Sequence, residues 1–194
     1  MKRHYTFYTK RLASVLDTYY PENIEILADT LYEVWKTKKQ MFICGNGGSA
    51  GNAIHLANDF NYGIDKKTGI GMRTDAIPAN QSIITCLAND EGYEHIYSQQ
   101  LKVKANEGDV LIVLSGSGNS SNVVNALEAG NALGMKTFAI LGYSGGKCKH
   151  IAQYPIHFPI DDMQISEDLQ MIVGHICMQW LSDKHNINQE NDGK

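Results

Sequence analysis

The chain lacks any apolar run of about 18 residues, the length a membrane-spanning helix requires, so a membrane-embedded reading is excluded at the outset. It also lacks paired cysteines. Its four, Cys44, Cys86, Cys148 and Cys177, are far apart and form no C-x-x-C pair, which argues against a disulfide framework and for reduced thiols in a cytoplasmic protein. Charge of one sign is scarce as well. A formal charge of −4 leaves no broad basic surface for nucleic acid, so any anion has to be met locally, by main-chain N–H groups and helix N-termini. The opening MKRHYTFYTKRLASVL has its apolar residues broken by charged ones, with Asp17 just beyond, and reads as an amphipathic helix rather than a secretory leader. Four prolines in 194 residues, and a composition 43% hydrophobic, leave room for one well-buried domain.

What is present alternates. Helical spacing covers 3–19 and 21–37, the second with Pro21 in its first turn. MFICG (41–45) is a short buried-strand run, followed by a Gly-rich loop and a helix with Ala53, Leu56, Ala57 and Phe60 in register. Residues 65–75, which include Lys66, Lys67 and Arg73, read as a loop, and 82–90 and 93–105 as helices broken at Gly92. The strand–loop–helix pattern then repeats: DVLIVL (109–114), SGSGNSS, and a helix over 122–134 closed by a glycine. KTFAIL (136–141) gives a third strand, and YPIHFPI (154–160) a fourth, whose prolines place it near an edge. A long helix spans 167–183 with Leu169, Ile172, Val173, Ile176 and Trp180 on one side. The expected fold is α/β, a doubly wound, mainly parallel sheet with helices on both faces and an N-terminal helical arm. Its expected divisions are helices at 1–38, a core domain at 39–185 and a polar tail at 186–194.

Both Gly/Ser loops follow strand carboxyl ends, where ligands of such sheets gather. Gly45 to Ser49 and Ser115 to Ser120 offer unobstructed amides and hydroxyls where helices begin, a pattern suited to a phosphate. Neither loop is a P-loop or a G-x-G-x-x-G turn. His55 and Asp59, four residues apart, share a helix face, a spacing that suits a metal, a proton relay or a plain surface pair. Glu167 and His175 lie about 80° apart around the last helix, with Asp168 directly in line with His175, which also has the alternative of being a core histidine. Asn89 and Asp90 are in place to cap a following helix.

CGNGGSAGNAIHLANDF, LANDEGYEHIYSQQL, GDVLIVLSGSGNSSNVVNALEAGNALGMKTFAILGYSGGK and EDLQMIVGHI together resemble the phosphoheptose isomerases of the sugar isomerase (SIS) domain superfamily, over residues 20–183. The resemblance implies a SIS-type, flavodoxin-like fold and a ketose–aldose isomerase. The reaction it implies converts sedoheptulose 7-phosphate to D-glycero-D-manno-heptose 7-phosphate through an enediol(ate), toward heptose of bacterial lipopolysaccharide or capsule. It also implies a homotetramer with active sites shared between subunits. Substrate contacts carry over to Asn46, Gly47 and Gly48 with Ser49, to Asn89 and Asp90, and to Ser115, Gly116, Ser117 and Ser120. The implied metal ligands, for zinc or a similar divalent ion, are His55, Asp59, Glu167 and His175. The implied catalytic residues are Asp59, Glu167 and His175, with either carboxylate as base and His175 as acid. The chain departs from the family in having Asp59 for a glutamate, Gly63 for an arginine, Glu167 for a glutamine and Gly116 for a frequent threonine. Asp59 and Gly63 motivate an alternative, a sugar-phosphate-binding regulator or scaffold without catalysis.

Overall fold

The computed structural model describes the backbone of residues 1–192 and the side chains of these residues except 65, 67 and 186–192. In chain order the elements are α1 (Lys2–Thr18), α2 (Asn23–Lys36), β1 (Met41–Gly45), α3 (Gly48–Asn58), α4 (Asp65–Thr68), β2 (Thr74–Ala76), α5 (Gln81–Asp90), α6 (Ser98–Lys104), β3 (Val110–Ser115), α7 (Ser121–Ala132), β4 (Lys136–Leu141), α8 (Cys148–Ile151), β5 (Tyr154–His157) and α9 (Met163–Asp192). The strands form one parallel sheet in the order β2-β1-β3-β4-β5. That is the flavodoxin-like order, whose switch point lies between β1 and β3.

Alternation along the strands builds the two faces. Met41 and Ile43, Val110, Ile112 and Leu114, and Phe138 and Ile140 point to one side. There they pack on Leu27, Leu31 and Val34 of α2, Ala53 and Leu56 of α3, and α9. Phe42, Cys44, Leu111, Val113 and Ala139 point to the other, against Leu101 of α6 and Val123, Ala126 and Leu127 of α7. A strand buried on both faces must be apolar throughout, which is why these runs show no polar alternation. Each fully buried aliphatic side chain contributes about 1.5–3 kcal/mol, so the two-sided packing is what holds the loops at the strand ends in place.

The structure revises several sequence expectations. The segment 65–75 is not a plain loop: it holds α4 and the start of the edge strand β2, and Arg73 is anchored to the Lys38 carbonyl at 3.0 Å. The stretch 93–105 divides into a single turn at Tyr93–His95 and α6. Pro21 lies just before α2, where its carbonyl accepts from the Ile24 N–H at 2.9 Å. The last helix begins at Met163 and its backbone runs on to Asp192, through most of the segment read as a polar tail; residues 193 and 194 lie outside the described residues. Its buried stripe is Ile165, Leu169, Val173, Cys177 and Leu181, strict fourfold spacing, whereas Ile176 is 49% exposed. β5 does lie at an edge, as its proline requires. All four cysteines are free; burial pushes the Cys177 thiol up to about 12.

α1 is tied to the start of α9. The Tyr8 hydroxyl donates to Asp168 at 2.5 Å and Arg11 Nη1 to Asp162 at 2.5 Å, while Tyr8, Leu12 and Val15 pack on the core. Burial, then the bond to the Asp168 carboxylate, holds the Tyr8 phenol above its ordinary range. The Ile165 N–H, with Arg11, holds the Asp162 carboxyl below its ordinary range. A lowered folded-state value means that this contribution to stability is complete at neutral pH and fades as acid protonates the group.

Candidate active site

Both Gly/Ser loops emerge side by side at the carboxyl edge of the sheet, because β1 and β3 are neighbours paired from Met41↔Val110 to Gly45↔Leu114. Gly47 takes φ +53 at the start of α3, a left-handed conformation that favours glycine. At the second loop Ser115 Oγ accepts from the Gly118 N–H at 3.0 Å and Ser117 Oγ from Asn119 N–H at 3.4 Å. Ser120 is the N-cap of α7 but its side chain makes no capping bond. Its hydroxyl and the first N–H groups of the helix are thus placed for an oxyanion.

The helix α3 does not stop at Asn58. It widens into a π turn over Asp59–Gly63, a form of helix that recurs at functional sites. Asp59, at the start of that turn, meets two imidazoles at one oxygen: His55 Nε2 lies 3.2 Å and His175 Nε2 3.1 Å from Asp59 Oδ2. The rings of His55 and His175 stand 5.6 Å apart. His175 is therefore no core histidine; its side chain is 42% exposed. The aspartate side chain, short as it is, reaches both partners. Gly63 faces it with ordinary van der Waals room, 3.7 Å from an added Cβ to Asp59 Oδ1.

The other predicted residues divide. Glu167 is not part of the His55, Asp59 and His175 cluster. Its carboxylate lies over Gly48 at the N-terminus of α3, where it would collide with a Cβ on that glycine. Asp168 turns to Tyr8 rather than to His175. Ser49 is buried and its hydroxyl accepts from Gln170 Nε2 at 3.0 Å, so it ties α3 to α9. Asn52 Nδ2 extends that tie, donating to Gln170 Oε1 and to the Glu167 carbonyl, each at 3.0 Å. Asn89 and Asp90 close α5 instead of capping the next helix, and Asn89 Nδ2 donates to Asp90 Oδ1 at 2.7 Å. Gly116 lies under the flexible Met163 side chain, whose Sδ would stand 2.7 Å from an added Cβ. Asn46 is engaged by Asn122, Tyr93 and Tyr97, three residues that spacing alone did not single out. Asn122 sits in the first turn of α7, just after a phosphate-type loop, and that position was the available signal.

His55, Asp59 and His175 each offer a ligand atom, all within 4.8 Å of one another. Two imidazoles and a carboxylate are a donor set that suits zinc or a similar divalent ion, so the residues present fit a metal.

The sheet has the flavodoxin-like order, and residues 4–142 match the SIS domain family, so the chain is a SIS-domain protein. The chain belongs more narrowly to the phosphoheptose isomerase family. It is 33% identical over 162 residues to the phosphoheptose isomerase of Clostridium acetobutylicum, covering 82% of this chain and 81% of that one. With the phosphoheptose isomerase of Aneurinibacillus thermoaerophilus it shares 36% over 155 residues, 79% and 77% of the two chains. A solved phosphoheptose isomerase from Francisella tularensis has the same fold, with TM-score 0.87 at 22% identity over 93% of this chain and 96% of that one.

Proposed function

We propose that the protein is a ketose–aldose isomerase of sugar phosphates that converts sedoheptulose 7-phosphate to D-glycero-D-manno-heptose 7-phosphate in the cytoplasm. The observation that carries this reading is the His55, Asp59 and His175 cluster, which joins the end of α3 to a residue of α9 116 positions away. A binder without catalysis has no use for that cluster, which is why the scaffold alternative ranks below it.

Ser117, Ser120 and the N–H groups at the start of α7 hold the phosphate, a remote handle whose binding energy keeps the reacting carbons near base and acid. Ser115, Gly116, Asn46, Gly47, Gly48, Asn89 and Asp90 shape the rest of the sugar site. Asp59 is the base. Its Oδ2 takes both imidazoles, which leaves Oδ1, with its 3.4 Å contact to Asn58 Nδ2, to accept the proton alpha to the carbonyl. His175 returns a proton to the neighbouring carbon, completing the 1,2-transfer through a cis-enediol(ate). His55, Asp59 and His175 would hold zinc or a related divalent ion, which supplies electrophilic stabilisation of the developing negative charge. Glu167, across Gly48, contributes to the sugar end of the site.

Incubating the purified protein with sedoheptulose 7-phosphate, with and without added zinc, is expected to give aldose signals by NMR. Substrate is also expected to raise the melting temperature, and Ser117→Ala with Ser120→Ala to remove that rise. Absence of turnover with any C5 to C7 ketose phosphate would reject the isomerase, and a stabilisation that persists in the double variant would reject the assigned cradle. We also propose a homotetramer with shared active sites. In support, α5 buries no residue in the isolated chain, and Val103 on the adjoining α6 is 86% exposed. Light scattering is expected to return four chain masses, and a monomeric mass would refute it.

A further inference from the structure

Two side-chain amides join the loops. Asn46 Nδ2 donates to Asn122 Oδ1 at 2.8 Å, and Asn122 Nδ2 donates to Asn46 Oδ1 at 2.7 Å. Further donors fix which way each amide faces. The Val123 N–H reaches Asn122 Oδ1 at 2.9 Å, and the phenols of Tyr93 and Tyr97 reach Asn46 Oδ1 at 3.1 and 3.4 Å. The Val123 N–H can only donate, so Asn122 Oδ1 accepts there and Asn122 Nδ2 is left to donate to Asn46 Oδ1, which fixes both amides in the reciprocal ring. The one proton of the Tyr97 hydroxyl goes to the Gly45 carbonyl at 2.5 Å, pinning the last residue of β1. Asn122 is 1% exposed.

The position of this ring matters. Strand pairing couples β1 to β3 as far as Gly45↔Leu114 and then ends. Past that point the first loop leads into α3 with His55 and Asp59, and the second leads into α7 with the phosphate-holding groups. We infer that the Asn46–Asn122 pair sets the spacing between phosphate handle and reacting groups, with Asn122 as a positioning residue acting through Asn46. The inference rests on the isomerase reading. A substrate gripped at one end is turned over only if the other end meets its base, and a misplacement of about 1 Å costs on the order of 10²-fold.

Asn122→Asp tests it through pH. An ionised carboxylate cannot donate to Asn46 Oδ1, so two acceptors meet and the ring opens. The protonated acid replaces the amide atom for atom: its O–H donates to Asn46 Oδ1 and its carbonyl accepts from Asn46 Nδ2. Burial favours the protonated form and raises the pH at which the switch occurs. The titratable neighbours bonded to the pair are Tyr93 and Tyr97, and Tyr97 is held above the ordinary phenol range by burial and then by Cys44. With sedoheptulose 7-phosphate as substrate, kcat relative to wild type at the same pH is expected to fall about 10- to 100-fold near pH 8, with KM changed less than about threefold. The ratio is expected to recover about tenfold toward pH 6 as the introduced acid is protonated. Asn122→Ala stays low throughout. Should Asn122→Asp fail to fold, Asn46→Asp, whose acid form donates to Asn122 Oδ1, carries the same expectation for the pH dependence of the kcat ratio, with KM free to change because Asn46 also lines the sugar site. A merely structural contact would lower the melting temperature and leave the kcat ratio flat, and active wild type beside such a flat ratio overturns the inference alone. Wild type that turns over no ketose phosphate overturns the isomerase reading and this inference together.

Discussion

Asp59→Asn is expected to lower kcat by about 10²- to 10⁴-fold, the range that a positioned general base contributes. The side chain keeps its size, so folding is preserved, but asparagine has no carboxylate to take the proton. Its amide must also present nitrogen or oxygen to two imidazoles that now share one oxygen at 3.1 and 3.2 Å. Glu167→Gln serves as the contrast. Because the Glu167 carboxylate lies over Gly48 and outside the histidine cluster, its loss is expected to act chiefly on KM and to change kcat less than about tenfold. Steady-state rates for the two variants check the assignment, and the reverse order of effects would move the base to Glu167.

Gly118→Ala is expected to be the most damaging small substitution in the phosphate loop. Gly118 holds φ +67, and a Cβ there would run into the Gly145 carbonyl oxygen, which is backbone and cannot swing aside. Its own N–H and C=O are both engaged, with Ser115 Oγ at 3.0 Å and the Cys148 N–H at 2.9 Å. Left-handed strain and steric overlap each cost about 1–3 kcal/mol. For a chain of this size, that corresponds to a melting-temperature drop of about 4–24 °C. The substrate-induced rise should vanish with it. Gly51→Ala provides the control: an added Cβ meets open space on α3, and stability is expected to hold or improve slightly. Calorimetry on the two variants separates them, and a Gly118→Ala protein with unaltered melting would show that the loop can shift without penalty.

β1, β3 and β4 were legible because each is a short apolar run buried on both faces, β5 was legible as a proline-broken run at an edge, and the parallel sheet followed from their alternation with helices. β2 was not legible. Three residues, Thr74, Asp75 and Ala76, carry no hydrophobic signature and become a strand only because β1 offers them a free edge. The π turn at Asp59–Gly63 likewise leaves no mark in residue spacing, since its extra residue is absorbed by backbone geometry. At the site, the four-residue interval from His55 to Asp59 announced their contact. His175 arrives from 116 residues away, so its role needed either the fold or the family resemblance. Spacing puts Asp168 in line with His175 on the helix, but its carboxylate accepts from the Tyr8 hydroxyl of α1, a partner that local pattern does not show. Ser49 and Gly116 show the same limit. What occupies their neighbourhood, Gln170 and Met163, comes from a distant helix that local pattern cannot place.

Helix α9 passes over the whole site in about three turns. Met163 rests at Gly116, Ser166 at Gly142, Glu167 at Gly48, Gln170 at Ser49, and His175 at Asp59. One rigid rod therefore gauges every separation a bound sugar must span. Inserting a single residue between 163 and 175 would advance the downstream part by about 1.5 Å and swing it by about 100°. Every later contact would lose its partner in one stroke. A one-residue insertion anywhere in this stretch is accordingly expected to abolish turnover, since the contacts on either side of it are counted off along the same rod.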